Sequence, residues 1–285
     1  MGLERTAPGF LFIGGHFHPS HKQGFIQKRE GTQGTVRGFL ALTQREIGSY
    51  FSWFTGYVLL ALVTFLFGLS LTSLVHALNH ESIHLPLTDL FYQTYFYWLI
   101  LLVTAPVLTM RAFAGERSTG TYEALMTSPI SDLQVVLAKF TGSMAVYTIL
   151  WMPLPLCMMV LRHYTENSNP IDPGPILTTC LGILLLGGLF ISMGCFASSL
   201  TRNQIVAAIL ALAMDTGLFC LGFANRALPV ELHWIDRVLA SVSIIDHMED
   251  FSRGILDTRY LVFYISLTVF FIFLTLKSVE RRRWT

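Results

Sequence analysis

The sequence predicts an all-α integral membrane protein with six transmembrane helices, and three observations lead there. The 285-residue chain is 53% hydrophobic and only 13% charged, with mean hydropathy +0.55, whereas soluble domains carry about 25% charged residues. Six segments reach or approach the roughly 20 apolar residues needed to cross a bilayer. The basic residues are also distributed unevenly over the connections between these segments. Core helices of a soluble protein keep a polar face at every turn, and these segments do not. A net charge of +1 lacks the basic excess of a nucleic-acid binder.

Residues 1–35 contain Gly, His and Lys without periodicity and read as a disordered N-terminal extension. Their "FLFIGG" is too short for the apolar region of a signal peptide. His16, His18 and His21 have a metal-binding reading, but no metal is assigned to them. A six-helix membrane domain is expected over 36–285. It opens with an amphipathic helix from Val36 to Ser52 on the inner membrane surface. Phe39, Leu40, Leu42, Ile47, Tyr50 and Phe51 form its apolar face, with Arg37, Gln44, Arg45 and Glu46 largely elsewhere.

The six spans follow at about 53–78, 90–110, 140–161, 176–200, 205–224 and 260–276. The last is short enough to need snorkelling by Arg259 and Lys277. Gly182, Gly187, Gly188 and Gly194 in the fourth suit close helix packing. All four cysteines lie in apolar runs and read as small buried hydrophobes. With the N-terminus inside, the inner pieces hold 14 of the 19 basic residues. The outer pieces hold more than half of the 18 acids. Both termini therefore read as cytoplasmic, anchored by the closing "KSVERRRWT". The long outer connection, Asn225 to Arg259, shows apolar residues at helical spacing, among them Ile244, Ile245, Met248 and Phe251, with Gly254 placed as a C-terminal cap. It predicts a helical hairpin of two short helices in or on the outer leaflet.

The inner insert between the second and third spans, Arg111 to Ser131, is polar and broken by Gly120 and Pro129. Thr121 to Ser128 makes about two helical turns between these breaks. "SDLQ", from Ser131 to Gln134, is a capping box that opens the third helix. A short amphipathic helix tied to spans at both ends has the form needed to receive motion from a cytoplasmic partner. No G-x-x-x-x-G-K-[ST] phosphate loop occurs, and "GTQGTVRG" lacks its lysine. Asp215 is the single ionisable residue deep in a span. A mid-span carboxylate costs about 2.5–3.5 kcal/mol on insertion scales and marks a functional site by default. Two readings stand for it: a residue of a transport pathway, or a structural contact to Thr178, Thr179 or Ser192.

The run from Arg111 to Phe140 resembles the cytoplasmic signature of type 2 ABC transporter permeases. That signature has an arginine, a Glu-Arg pair, a Gly-Thr step, Glu-x-Leu, and a "TSP" turn followed by lysine. Here these are Arg111, Glu116, Arg117, Gly120, Thr121, Glu123, Leu125, Thr127, Ser128, Pro129 and Lys139. The end of the chain, "HMEDFSRGILDTRYLVFYISLTVFFIFLTLKSVERRRW", is similar to the subgroup of gliding-motility and copper-processing export permeases.

The resemblance implies a permease subunit in the cell inner membrane that serves export and is paired with a second copy or a homologous permease. Separate ABC ATP-binding subunits would dock below, with membrane lipids around the spans. The 111–131 loop would hold the coupling helix, with Arg111, Glu116, Arg117, Gly120, Thr121, Glu123, Leu125 and Pro129 as its ATPase-coupling residues. Glu116 and Arg117 would fix the loop angle through an ion pair or a helix-terminus contact. The chain would bind no nucleotide and no cofactor and would not itself be an enzyme. The competing readings are a membrane anchor for a cytoplasmic ATPase complex and an intramembrane enzyme.

Overall fold

The computed structural model describes residues 38–52, 54–80, 87–121, 131–164, 173–227 and 241–283. The expected N-terminal extension, the first helix of the expected outer hairpin, and Glu123, Leu125 and Pro129 lie outside them. The described residues are helical apart from short turns and caps. In chain order the helices are α1 (38–52), α2 (Phe54–His80), α3 (Leu87–Tyr92), α4 (Tyr95–Thr109), α5 (Ala114–Thr119), α6 (Asp132–Trp151), α7 (Pro153–Tyr164), α8 (Pro173–Leu200), α9 (Gln204–Ala227), α10 (Ile244–Ser252) and α11 (Thr258–Arg283). Six stretches are long and apolar enough to cross a membrane: Phe54–His76, Tyr95–Thr119, Asp132–Val160, Pro173–Leu200, Gln204–Phe223 and Thr258–Arg281.

The fourth of these, α8, is the hub. It packs against α4, α6, α9, α10 and α11, and small residues make the close approaches. A Cβ at Gly187 would overlap the Tyr147 ring of α6, and one at Gly194 would overlap Thr109 of α4. One at Gly182 would lie 2.7 Å from the Phe251 ring of α10. Gly188 departs from the expectation, because nothing lies within 4 Å of the position its Cβ would take. Beside the hub, aromatic rings join α2, α3, α4, α6 and α9: Phe67 and Tyr97 stand edge-on to Trp151 at 5.3 and 5.5 Å, and Trp98 meets Phe219 at 4.9 Å. Such edge-to-face pairs contribute beyond the area they bury.

The structure departs from the expected elements in three places. The second span does not run unbroken from residue 90: α3 ends at Tyr92, and α4 begins after Thr94, whose backbone is extended (φ −72°, ψ 131°). The apolar composition is continuous there, so hydropathy alone does not see the break. Glu46 does not sit on the outer side of α1. It is buried with Leu42, while Leu40 and Phe51 of the expected apolar face are exposed. The helix near the chain's end, α10, does not rest its apolar face on lipid. Ile244, Ile245, Met248 and Phe251 are buried in the core, and α10 packs on α8, α9 and α3.

Polar contacts fix that last docking. Ser252 Oγ donates to Asp89 Oδ1 (3.1 Å), Thr88 Oγ1 to the Ser252 carbonyl (2.6 Å) and Tyr92 OH to the Ile245 carbonyl (2.7 Å). Gly254 ends α10 with φ +88°. The Ile255 and Gly254 amides donate to the Asp250 and Phe251 carbonyls, which is a Schellman cap. His247 of α10 stacks on Tyr260 at 4.0 Å. Burial pushes its imidazole down to about 4, so the ring is neutral at physiological pH.

The two adjacent glycines of α8 separate packing from propensity. Gly187→Ala is expected to destabilise by about 1–3 kcal/mol through overlap with Tyr147. Gly188→Ala is expected to be neutral or stabilising by up to about 1 kcal/mol, because alanine favours helix. Thermal unfolding of both variants in detergent checks this, and equal melting shifts would contradict the packing.

Candidate functional site

The segment following α4 is where sequence-distant charges meet. α4 ends at Thr109, and the chain turns through Met110–Phe113 into the six-residue α5, "AGERST". The amides of Phe113 and Ala114 both donate to Ser198 Oγ of α8, at 3.1 and 3.0 Å. This satisfies two of the four donors that a helix start leaves open. α5 stops at Gly120, whose φ of +75° belongs to the left-handed region. On the far side of the insert, α6 opens with the expected capping box: Ser131 Oγ accepts from the Gln134 amide, and the Gln134 side chain accepts from the Ser131 amide.

Lys139, two turns into α6, is the centre of the cluster. Its side chain is 1% exposed, and its Nζ lies 3.0 Å from Glu46 Oε1 of α1 and 2.9 Å from Glu116 Oε1 of α5. It also stands 5.4 Å from the centre of the Phe113 ring. Arg45 adds a second cation from the exposed side, with Nη2 at 2.8 Å from Glu116 Oε1 and 3.5 Å from Glu46 Oε1. Two carboxylates and two cations thus tie α1, α5 and α6 together. Gly142, one turn beyond Lys139, makes room for Glu46: a Cβ there would sit 2.8 Å from the Glu46 Cβ.

Tyr50 secures the other end of α1. Its hydroxyl donates to the Leu108 carbonyl of α4 (2.8 Å) and so accepts from Ser143 Oγ of α6 (2.9 Å). Burial raises its ionisation well above the ordinary phenol range, which keeps that proton in place. Arg117, the residue of α5 after Glu116, donates to the Ser199 carbonyl and to the Thr201 carbonyl (3.5 Å). A cation there meets the negative end of the α8 dipole. Gln204 Nε2 of α9 donates to Ser118 Oγ at 3.3 Å.

Of the residues singled out from the sequence, Arg111, Glu116 and Lys139 come together around one cavity. Arg117 turns to the end of α8, and Gly120 and Thr121 lie at the exposed end of α5. Asp215 stands apart, 11 residues into α9 from Gln204, or roughly 16 Å at 1.5 Å per residue. It is fully buried, and neither carboxylate oxygen has a hydrogen-bond partner among the described residues. The expected contacts to Thr178, Thr179 and Ser192 are not formed. Thr178 donates to the Phe251 carbonyl, Thr179 to that of Pro175 and Ser192 to that of Leu189.

Two features escaped the sequence reading. Arg45 and Glu46 complete the cluster, and the signal for Glu46 was its place one turn from Leu42 and one turn from Tyr50 on the inward stripe. The run His80-Glu81-Ser82-Ile83-His84 has the H-E-x-x-H spacing of zinc proteases, but it lies outside the described side chains. Among the described residues no group of three metal-ligating side chains occurs.

A family model described as "ABC-2 family transporter protein" matches residues 23–225. The match takes in α1 to α9 up to residue 225 and includes every residue of the charge cluster. No curated protein matches the chain.

Lys139→Met is expected to lower stability by about 1–3 kcal/mol, because it leaves Glu46 and Glu116 with the exposed Arg45 as their remaining cation among the described residues. Adding Glu46→Gln and Glu116→Gln is expected to recover most of that loss. Thermal unfolding of the single and triple variants in detergent gives the comparison. A Lys139→Met protein that melts with the parent would show that the cluster does not hold the three helices.

Proposed function

We infer the function from one premise: this chain belongs to the ABC-2 family of transporter proteins, whose model covers well over half of it. It is accordingly a membrane permease of an ABC transporter. Within that assignment we propose that the 111–131 loop receives the movement of separate ATP-binding subunits. The chain works as one of two permeases, paired with a second copy or a homologous permease, and serves export. The loop and both termini face the cytoplasm across the cell inner membrane, a reading supported by the basic residues concentrated on that side. ATP is hydrolysed by the partner, since the sequence holds no phosphate-binding loop.

One observation carries this reading. α5 is fastened on one flank to α1 and α6 through Glu116, Lys139 and Glu46, and on the other to the end of α8 through Ser198 and Arg117. A force applied to the loop therefore reaches three helices through short, charge-assisted contacts rather than through a slack connection. Arg111, Glu116, Arg117 and Gly120 set the position of α5. Thr121, Glu123, Leu125 and Pro129 present the segment beyond it.

Two experiments test this. Glu123→Lys is expected to reduce co-purification of the ATP-binding subunit about tenfold, the factor that 1.4 kcal/mol represents, with membrane insertion unchanged. Undiminished recovery of the ATPase would move docking to another surface. Asp215→Asn preserves shape and removes the charge from a buried site that no described side chain satisfies. We assign it to the transport pathway. The variant is expected not to restore the phenotype of cells lacking the transporter, at equal membrane abundance and equal ATPase recovery. Full restoration would make Asp215 structural.

A further inference from the structure

At the end of the bundle opposite the charge cluster, α10 bridges the start of α8 and the end of α9. Its Phe251 ring packs into the space beside Gly182 of α8, and Ser243 and Ile244 approach Gly222 of α9. Thr88, Asp89 and Tyr92 of α3 hold it through hydrogen bonds to Ser252 and Ile245. The helix has nine residues and ends at Gly254, whose φ of +88° marks a backbone position free to turn. α10 is therefore a short element docked on its neighbours by side-chain contacts.

His247 sits in the middle of α10 and is 1% exposed. Its ring stacks on Tyr260 at 4.0 Å and meets Phe263 and Tyr264 edge-on at 5.5 and 5.7 Å, all three from α11. Nδ1 lies 3.3 Å from the Tyr264 hydroxyl oxygen. Nε2 is buried and has no partner among the described residues. A neutral imidazole can carry its single N–H on Nδ1, toward Tyr264, whereas an imidazolium carries a second N–H on Nε2. The docked arrangement gives that second donor no acceptor among the described residues and surrounds the cation with aromatic carbon, which costs free energy twice over.

The charges around the ring do not reverse this. α10 itself carries Asp246, Glu249 and Asp250, with Arg253 beyond its end paired to Glu249 at 2.7 Å. α11 and the turn before it bring Asp257, Arg259, Tyr260 and Tyr264, and Tyr260 donates to Asp250 at 2.6 Å. α3 brings Asp89, which accepts from Ser252, and Tyr92. α8 has no charged residue, and α9 has none between Asp215 and Phe223; Cys180 and Cys220 are their thiols at this end. Asp246, Asp250 and Asp257 favour a charged ring, but burial outweighs them and pulls the imidazole down to about 4.

We propose that α10 is a pH-sensitive latch on this end of the bundle: it is docked while His247 is neutral and releases from α3, α8 and α9 when the ring takes up a proton. The released helix, whose imidazole has its ordinary value of about 6.5, binds the proton more tightly than the docked one. Docking is therefore at full strength above that value and weakens as pH falls from there toward about 4. The latch depends on neither the ATPase nor the cargo.

The experiment is hydrogen exchange of the full-length protein in detergent at about pH 7.5 and about pH 5, expressed as protection relative to the intrinsic rate at each pH. The amides of 244–252 are expected to lose protection about tenfold or more at the lower pH, while those of 183–197 in α8 keep theirs. His247→Phe puts an aromatic ring without a titrating group in the same place, and its α10 is expected to be equally protected at both pH values. His247→Gln is a second variant without a titrating group and carries the same expectation. Unchanged protection of α10 in the parent would overturn the proposal. An equal loss in α8 would do so too, because it marks unfolding of the bundle rather than release of one helix. A loss that persists in either folded variant would assign the effect to the carboxylates and overturn the role of His247.

Discussion

An ammonium group with almost no access to water has to be neutralised where it stands, and Lys139 imposes that requirement on three separate parts of the chain. Desolvating a charge costs several kcal/mol even after the protein relaxes. Glu46 comes from 93 residues upstream, and Glu116 comes from the other side of the insert. The attraction among them largely offsets the desolvation, so the cluster is weak evidence for net stability. What it does fix is arrangement. Any roll of α1, tilt of α5 or shift of α6 that separates a partner leaves a bare charge in an apolar setting. The glycine at 142 belongs to the same constraint, since a larger residue would hold α1 away from α6.

The same short helix that meets Lys139 is also built onto α8. Ser198 caps its start, and Arg117 caps the end of α8 in return. α8 in turn touches α4, α6 and α10 through glycines that let backbone meet side chain directly. A path of this kind has little slack, because protein interiors pack nearly as densely as organic crystals and do not absorb displacement in voids. Movement at α5 would then reach α10, at the other end of α8, as movement of the whole hub.

Much of this architecture is written in the sequence, because a bilayer turns hydropathy into geometry. The six spans follow from apolar length, and the capping box at Ser131 and the glycine stop at Gly254 follow from local backbone chemistry. What could not be read depended on partners. Glu46 looked like a surface acid because nothing nearby in sequence announces a buried lysine 93 residues away. Ile244, Ile245, Met248 and Phe251 were recognisable as one apolar face, but the same pattern serves a lipid surface or a protein one, and only Gly182 opposite Phe251 decides between them. The interruption after Tyr92 is carried by an extended backbone at Thr94 within uninterrupted apolar composition.

Two of the buried charges of the bundle, Lys139 and Asp215, differ in how they are satisfied. Lys139 lies two turns from the start of its helix, near the end of the bundle, and both of its carboxylate partners are in place. Asp215 lies near the middle of α9, where insertion is costliest, and its oxygens receive no hydrogen bond from the described residues. Neighbouring hydroxyls could have met that need, yet Thr178, Thr179 and Ser192 all donate to backbone carbonyls of α8 or α10. A carboxylate at that depth with no hydrogen bond from the described residues carries a desolvation cost that nothing visible offsets, and that imbalance is the observation behind its proposed place in the transport pathway.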